Sequence, residues 1–268
     1  MYVEKKKTSR LPFVILTTAV LALGGYGYGV AHEADTTWEQ TSAAAGAQAA
    51  VATTVDIDET KVVIPSWTMF SIQNPWLLVS KQKALPAGYT PVQLVPVGVP
   101  HGDSSTPMRI AASIQPELAT MFAAAKADGV NLMVSSAYRS EADQRAVYDT
   151  YLTKHGSAYV AQYVAAPLQS EHQTGYAADI TGASAACEKD SYQCNVTPDV
   201  VSWLARHAAA YGFIQRYPAG KQSITGVAAE EWHYRYVGIP LAKALTRAGL
   251  TFDEFVQQTA PGYAGIPR

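Results

Sequence analysis

The sequence predicts an α+β domain with a mainly antiparallel central sheet flanked by helices, preceded by a membrane helix. Three observations carry this. Helix-period and strand-period patterns are interspersed along the chain with no internal repeat. The connection between the strand patterns at Phe213–Tyr217 and Trp232–Val237 is short, which favours antiparallel neighbours. The N-terminus joins a basic flank to an uncharged apolar run.

That run comes first in the chain. "EKKKTSR" (Glu4 to Arg10) is basic, and "LPFVILTTAVLALGGYGYGVA" (Leu11 to Ala31) carries no charge. About 20 apolar residues suffice to cross the hydrocarbon core as a helix. Basic residues before it stay cytoplasmic, so the rest of the chain is exported. We read residues 1–31 as flank plus retained single-pass anchor. A cleavable signal peptide, with Gly29-Val30-Ala31 as a small-residue exit, is the alternative. Either way the remainder is extracytoplasmic. Residues 32–61 are rich in Ala, Thr, Asp and Glu without a sustained amphipathic period, and read as a flexible linker. Residues 62–268 read as the globular domain.

Within that domain a helix is expected from about Pro116, with proline in its first turn and Gly129 past its end. Leu118, Met121, Phe122 and Ala125 share one face of it. Val130 to Ser136 alternates as a short strand. Ser140 caps a helix running to about His155, with Asp143 in the first turn and Gly156 after the end. Thr197-Pro198 opens another helix, closed by Gly212, with Val201, Leu204, Ala205 and Ala208 on one face. "FIQRY" and "WHYRYV" read as strands. "PLAKALTRAG" and "TFDEFVQQT" are the last helices, and Thr251 and Glu254 have capping-box spacing.

The net charge of −2 over 268 residues argues against a nucleic-acid partner. The two cysteines, Cys187 and Cys194, are close in sequence. In an exported protein such a pair reads as a disulfide closing a small loop; two free thiols are the alternative.

Of the six histidines, only His172 and His233 sit beside carboxylates where strands begin. His172 and Asp179 lie in "SEHQTGYAADI", and His233 lies in "EEWHYRYVG". Catalytic zinc takes three protein ligands and keeps one position open. His172, Asp179 and His233 would supply two nitrogens and one oxygen if the chain turns at Gly175. No HExxH helix is present. Peptide hydrolysis also needs a base that takes a proton from the attacking water and passes it to the leaving amine. Glu230 and Glu231 are both candidates, and spacing does not choose between them. Arg139, in "SSAYRS", suits a terminal carboxylate or a developing oxyanion. Read alone, it equally suits a surface arginine paired with Glu141 or Asp143.

Together "SSAYRSEADQ", "SEHQTGYAADI", "WLARHAAAYGFIQRYPAGKQSITG" and "EEWHYRYVG" resemble the VanY-type D-alanyl-D-alanine carboxypeptidases. These are zinc peptidases of the group that includes lysostaphin and sonic hedgehog (LAS, or hedgehog-like, fold). The likeness runs from about Leu77 to Val237. The pattern SxHxxGxAxD is met by Ser170, His172, Gly175, Ala177 and Asp179. The resemblance implies one zinc ion on His172, Asp179 and His233, with Glu230 as catalytic base. Glu231 stands where the family has proline, and Ala137 where it has glycine. Arg139 falls on the substrate-binding arginine. Ser136, Tyr138, Gln144 and Ser170 fall on site-lining positions, and Tyr217 is a further carry-over. The segment with Cys187 and Cys194 looks like an insertion. The implied activity is a D,D- or L,D-carboxypeptidase acting on peptidoglycan stem peptides ending in D-alanine. A cell-wall endopeptidase with the same site, or a non-catalytic zinc-containing wall-binding domain, is the alternative.

Overall fold

The structure, a computed structural model, describes residues 15–17, 52–57, 60–65, 74–91, 93–102, 107–183 and 196–260. The chain divides into two compact units, Met1–Ser66 and Trp67–Arg268. The first contains a three-stranded antiparallel sheet of β1 (Ile15–Thr17), β2 (Ala52–Ile57) and β3 (Thr60–Pro65). Two short stretches differ from expectation. Ile15–Thr17, placed by sequence inside a membrane helix, instead pairs with Thr53–Val55. Residues 52–57, placed in a flexible linker, form a full strand against β3. Most of the residues in these strands are Ile, Val and Thr, a composition that favours strand over helix or coil. Among the described residues no helix is long and apolar enough to cross a membrane. The rest of the apolar stretch, residues 11–14 and 18–31, residues 32–51 and 58–59 of the linker region, and Cys187 and Cys194 lie outside the described residues.

The second unit is α+β. A hairpin of β4 (Leu94–Pro96) and β5 (Arg109–Ala111) leads through a 3₁₀ turn into α1 (Gln115–Ala127). The central sheet has four antiparallel strands in the order β6 (Leu132–Ser136), β7 (Ala177–Gly182), β9 (Glu230–Tyr236) and β8 (Phe213–Tyr217). Between β6 and β7 come α2 (Glu141–His155), α3 (Ser157–Tyr163) and a 3₁₀ turn, Glu171–Thr174. α4 (Pro198–His207) precedes β8, a single turn α5 (Gln222–Thr225) links β8 to β9, and α6 (Ile239–Ala248) and α7 (Phe252–Thr259) end the unit.

Local chemistry sets these boundaries. Ser140 and Asp143 form a capping box at α2, as do Thr251 and Glu254 at α7. α1 buries Leu118, Met121, Phe122 and Ala125, the expected face. α4 is rotated from expectation: it buries Val200, Trp203 and Leu204 and leaves Ala205 exposed. Trp203 decides this, because its ring is the largest apolar group on the helix and its Nε1 donates to Asp128 at 2.8 Å.

The two sheet faces differ. Val134, Ala178, Ile180 and Tyr234 join the apolar core with α1 and α4. Asp179, His233 and Arg235 alternate with these residues and point the other way. Beneath that second face Arg235 donates to the carbonyls of Pro75 and Leu77, both at 2.8 Å.

Candidate active site

Two irregularities in the sheet shape the site. Val134 and Ser136 of β6 pair with Ile180 and Asp179 of β7, so β6 carries an extra residue at that point. Gln215 and Tyr217 of β8 pair with Tyr234 and Glu230 of β9, so β9 carries two extra residues between them. Bulges re-aim side chains. The one in β9 turns Glu230 and His233, three apart, toward the same cleft, which a regular strand would forbid. Glu230 is 2 % exposed, and Glu231 faces solvent.

His172, Asp179 and His233 converge. Asp179 and His233 are direct partners in the β7–β9 register, and His172 comes from the 3₁₀ turn that Gly175 ends at φ 76. One ligand atom from each lies within 4.8 Å of the others. Asp179 Oδ1 is 3.4 Å from His172 Nε2 and 3.1 Å from His233 Nδ1. His172 Nδ1 donates to the Ala137 carbonyl at 2.6 Å. That bond fixes the tautomer and leaves Nε2 as a bare lone pair, buried with no hydrogen-bond partner. That orphaned nitrogen, converging with a second imidazole nitrogen and a carboxylate, fits zinc. Ala137 itself is not at positive φ, so alanine is accommodated where the family pattern has glycine.

Charge around the ligands is ordered. Burial, then the Arg139 guanidinium, push His172 down to about 4, so its ring is neutral at pH 7. Burial pushes His233 down too, but hydrogen bonds to Asp179 and Glu171 outweigh it and raise the ring to about 9. A metal there replaces a proton. Burial pushes the Glu230 carboxyl up to about 8, opposed by His233 and reinforced by Asp179. Glu230 Oε2 is 3.7 Å from His233 Nδ1.

A small cleft opens on these groups. Of the residues expected to meet substrate, Ser170 and Tyr217 line it, with His172, Glu230 and His233. The Tyr217 ring lies 5.0 Å from that of His233, and burial holds its phenol well above the ordinary range, so it stays a donor. Ser136 sits opposite Asp179 at the end of β6. Tyr138 and Arg139 follow, their amides donating to Arg109 O at 2.9 Å and His172 O at 3.2 Å. Gln144 lies on the first turn of α2, behind the cleft wall. It is fully buried, its Nε2 donates to Ala165 O of the cleft wall at 2.6 Å, and its Oε1 has no hydrogen-bond partner among the described residues.

Sequence reasoning missed Glu171. Its carboxylate is fully buried and accepts from Arg216 Nε at 2.8 Å; Arg235 Nη1 stands 2.7 Å from the same oxygen. The other oxygen lies 3.5 Å from His233 Nε2, on the far side of the ring from Asp179. Arg216 also pairs with Asp253 of α7. The readable signal was two arginines, Arg216 and Arg235, inside strands that otherwise bury apolar residues: such charges need a buried partner.

The family model for VanY, D-alanyl-D-alanine carboxypeptidase, matches residues 107–239. "Putative carboxypeptidase YodJ" of Bacillus subtilis (strain 168) is 39% identical over 196 residues, covering 70% of each chain. The chain belongs to the VanY family. A D-alanyl-D-alanine carboxypeptidase of Enterococcus faecalis is 35% identical over 189 residues, covering 67% of this chain and 65% of that protein. Among solved structures, VanYB in complex with D-alanine-D-alanine aligns at TM-score 0.59 and 34% identity, over 69% of this chain and 98% of that one. A VanY mutant in complex with Zn(II) aligns at TM-score 0.58 and 35% identity, over 68% and 98%. The LdcB LD-carboxypeptidase aligns at TM-score 0.60 and 35% identity, over 75% and 91%. This VanY-family protein is a zinc carboxypeptidase of the peptidoglycan-related kind, and its fold is the α+β fold of those structures.

Proposed function

We propose that the protein removes the terminal D-alanine from peptidoglycan stem peptides, with zinc held by His172, Asp179 and His233. The observation that carries this reading is Glu230: a buried carboxyl group 3.7 Å from His233, beside three residues that could hold a metal. A binding module has no use for it. When bound, zinc supplies Lewis-acid polarisation of the scissile carbonyl and acidifies water. Glu230 Oε2 takes a proton from the attacking water and returns it to the leaving amine. Burial raises that carboxyl's affinity for a proton, which suits it to hold the proton between the two transfers. Asp179 and Glu171 hold His233 from two sides, and Ala137 O holds His172. Arg139, whose charge is felt by both His172 and Glu230, receives the terminal carboxylate or the oxyanion. Ser170 and Tyr217 orient the peptide at the cleft wall.

The relatives crystallised as VanYB with D-alanine-D-alanine and as the LdcB LD-carboxypeptidase support a stem-peptide substrate. The basic flank and charge-free stretch at the N-terminus support export to the outer side of the cytoplasmic membrane. The test is mass spectrometry of defined tetra- and pentapeptide stems after incubation with the zinc-loaded protein. Loss of one D-alanine is expected, and which stem loses it separates D,D- from L,D-activity. An intact product set from both stems, with zinc bound, would overturn the reading in favour of a wall-binding role.

A further inference from the structure

Lys81 ties together two segments that line the catalytic cleft, and the chemistry above does not use it. The cleft draws Tyr163 and Ala165 from the end of α3, and Val227 and Glu230 from the chain that enters β9. Lys81 Nζ donates to Ala161 O, in the last turn of α3, at 2.5 Å. It also donates to Gly226 O, at the end of α5, at 3.0 Å. Carbonyls at helix C-termini have no intrahelical partner, and an ammonium group has donors enough for both. Such charge-assisted bonds are roughly twice as strong as neutral ones. A backbone bond lies beside them: the Ala228 amide donates to Gln162 O at 3.2 Å.

The lysine is delivered by a braced turn. Ser80 and Lys83 exchange backbone hydrogen bonds at 3.0 and 3.1 Å, so Lys81 and Gln82 form a two-residue loop between them. The Ser80 hydroxyl accepts from the amides of Gln82 and Lys83, both at 3.2 Å. Leu77, Val79 and Leu85 bury the flanks of the turn in one apolar cluster. Arg235 donates to the carbonyls of Pro75 and Leu77, and Trp76 Nε1 donates to Val237 O at 2.6 Å. The turn is thus fastened to the end of β9, while its tip holds the chain that begins it. Lys81 is half-buried and is not among the residues that line the cleft. Burial lowers the pKa of its ammonium group, and the charge of Glu230 opposes that shift, so the two lie within each other's field.

We propose that Lys81 is a positioning residue for the carboxypeptidase reaction: its two bonds fix the entry to β9 against α3 and so hold Glu230 at its place in the cleft. This rests on the reading of Glu230 as the base. A base works only within hydrogen-bond reach of the proton it takes. Misplacement by about 1 Å can cost roughly 100-fold in rate. Gly226 stands only four positions before Glu230, so releasing its carbonyl loosens the strand entry that carries the base.

The full zinc-loaded protein is assayed on a stem peptide ending in D-alanine. Lys81→Met keeps the apolar stem and removes the donors. It should lower kcat about 10–100-fold, with KM within about threefold and zinc content unchanged. Lys81→Arg, which keeps charge and donors, should recover most of that loss. Hydrogen exchange at the Ala228 amide should quicken in Lys81→Met. The deciding comparison is made in Glu230→Gln, with enzyme in excess over substrate and long incubation. If Lys81 acts by placing the base, adding Lys81→Met there should change the residual rate by less than about twofold, since the two residues act as one unit. Circular dichroism checks folding, and Lys81→Gln, which keeps an amide donor, runs the same cycle should Lys81→Met misfold. An unchanged kcat, unchanged exchange at Ala228, or an equal fold loss with and without Glu230 would overturn the proposal. Additive losses beside a slow Glu230→Gln would sink the role of Lys81 alone; wild-type turnover in Glu230→Gln would sink the base reading, and this proposal with it.

Discussion

Glu230 and His233 are three residues apart on one strand, yet their side chains meet in the same cleft, Oε2 to Nδ1 at 3.7 Å. The irregular pairing of β9 with β8 makes this possible. The same geometry sends Glu231 to solvent, so the two adjacent glutamates have unequal prospects.

Glu230→Gln should keep fold and zinc but lose the proton transfer, lowering turnover by roughly 10²–10⁴-fold. Glu231→Gln should stay within about threefold of wild type, because an exposed side chain contributes little to the barrier. Single-turnover release of D-alanine, with zinc content measured in parallel, checks both. An inactive Glu231 variant beside an active Glu230 variant would reverse the assignment.

His172→Ala removes the only ring whose bare nitrogen is fixed by a backbone carbonyl in this cluster. Metal analysis should find about one zinc per wild-type chain and little in the variant. Zinc at a hundred times its Kd should stabilise the wild type by about 2.7 kcal/mol and the variant far less. Equal thermal shifts on adding zinc would exclude these ligands.

Much of this was legible in the sequence, and the reasons are local. α1, α2 and α7 announced themselves through proline, Ser140 and Thr251 at their starts, because orphan amides at a helix end demand a specific partner. The three metal ligands were legible because few residue types can ligate and the chain uses few histidines. The choice between Glu230 and Glu231 was not legible from spacing, since strand alternation argues wrongly across a bulge. The rotation of α4 depends on a long-range partner, Asp128, that no local pattern reveals. Glu171 shows the same limit: its buried partners, Arg216 and Arg235, come from distant strands.

Gly175 ends the turn that presents His172. At φ +76, an added Cβ would come 2.9 Å from Leu94 Cδ2 and 3.3 Å from the Ala111 amide. Gly175→Ala should therefore lose about 2 kcal/mol or more, from left-handed strain and overpacking together, and weaken zinc binding. Gly88, at φ +72, has nothing within 4 Å of its virtual Cβ, so Gly88→Ala should show the backbone strain alone, about 1–2 kcal/mol. Urea unfolding of both variants makes the comparison. Equal losses would mean the close approach to Leu94 and Ala111 is inconsequential.

Glu171 links the metal site to the second face of the sheet. Its carboxylate balances Arg216 and Arg235, both fully buried, and backs the ring of His233 at 3.5 Å. Glu171→Gln keeps the volume and removes the charge. Two buried guanidinium groups then share less compensation, and breaking a buried pair from one side costs about 3–5 kcal/mol. The ring of His233 also loses the carboxylate that orients it, which should weaken zinc binding roughly 10–100-fold. Asp253→Asn separates the two effects. It removes the second partner of Arg216 but leaves the contact between Glu171 and His233, so it should lower stability while zinc affinity holds. Urea unfolding measures the first quantity and competition with a chelator the second. If Glu171→Gln competes with the chelator as well as wild type does, Glu171 serves only the arginines and His233 is oriented by Asp179 alone.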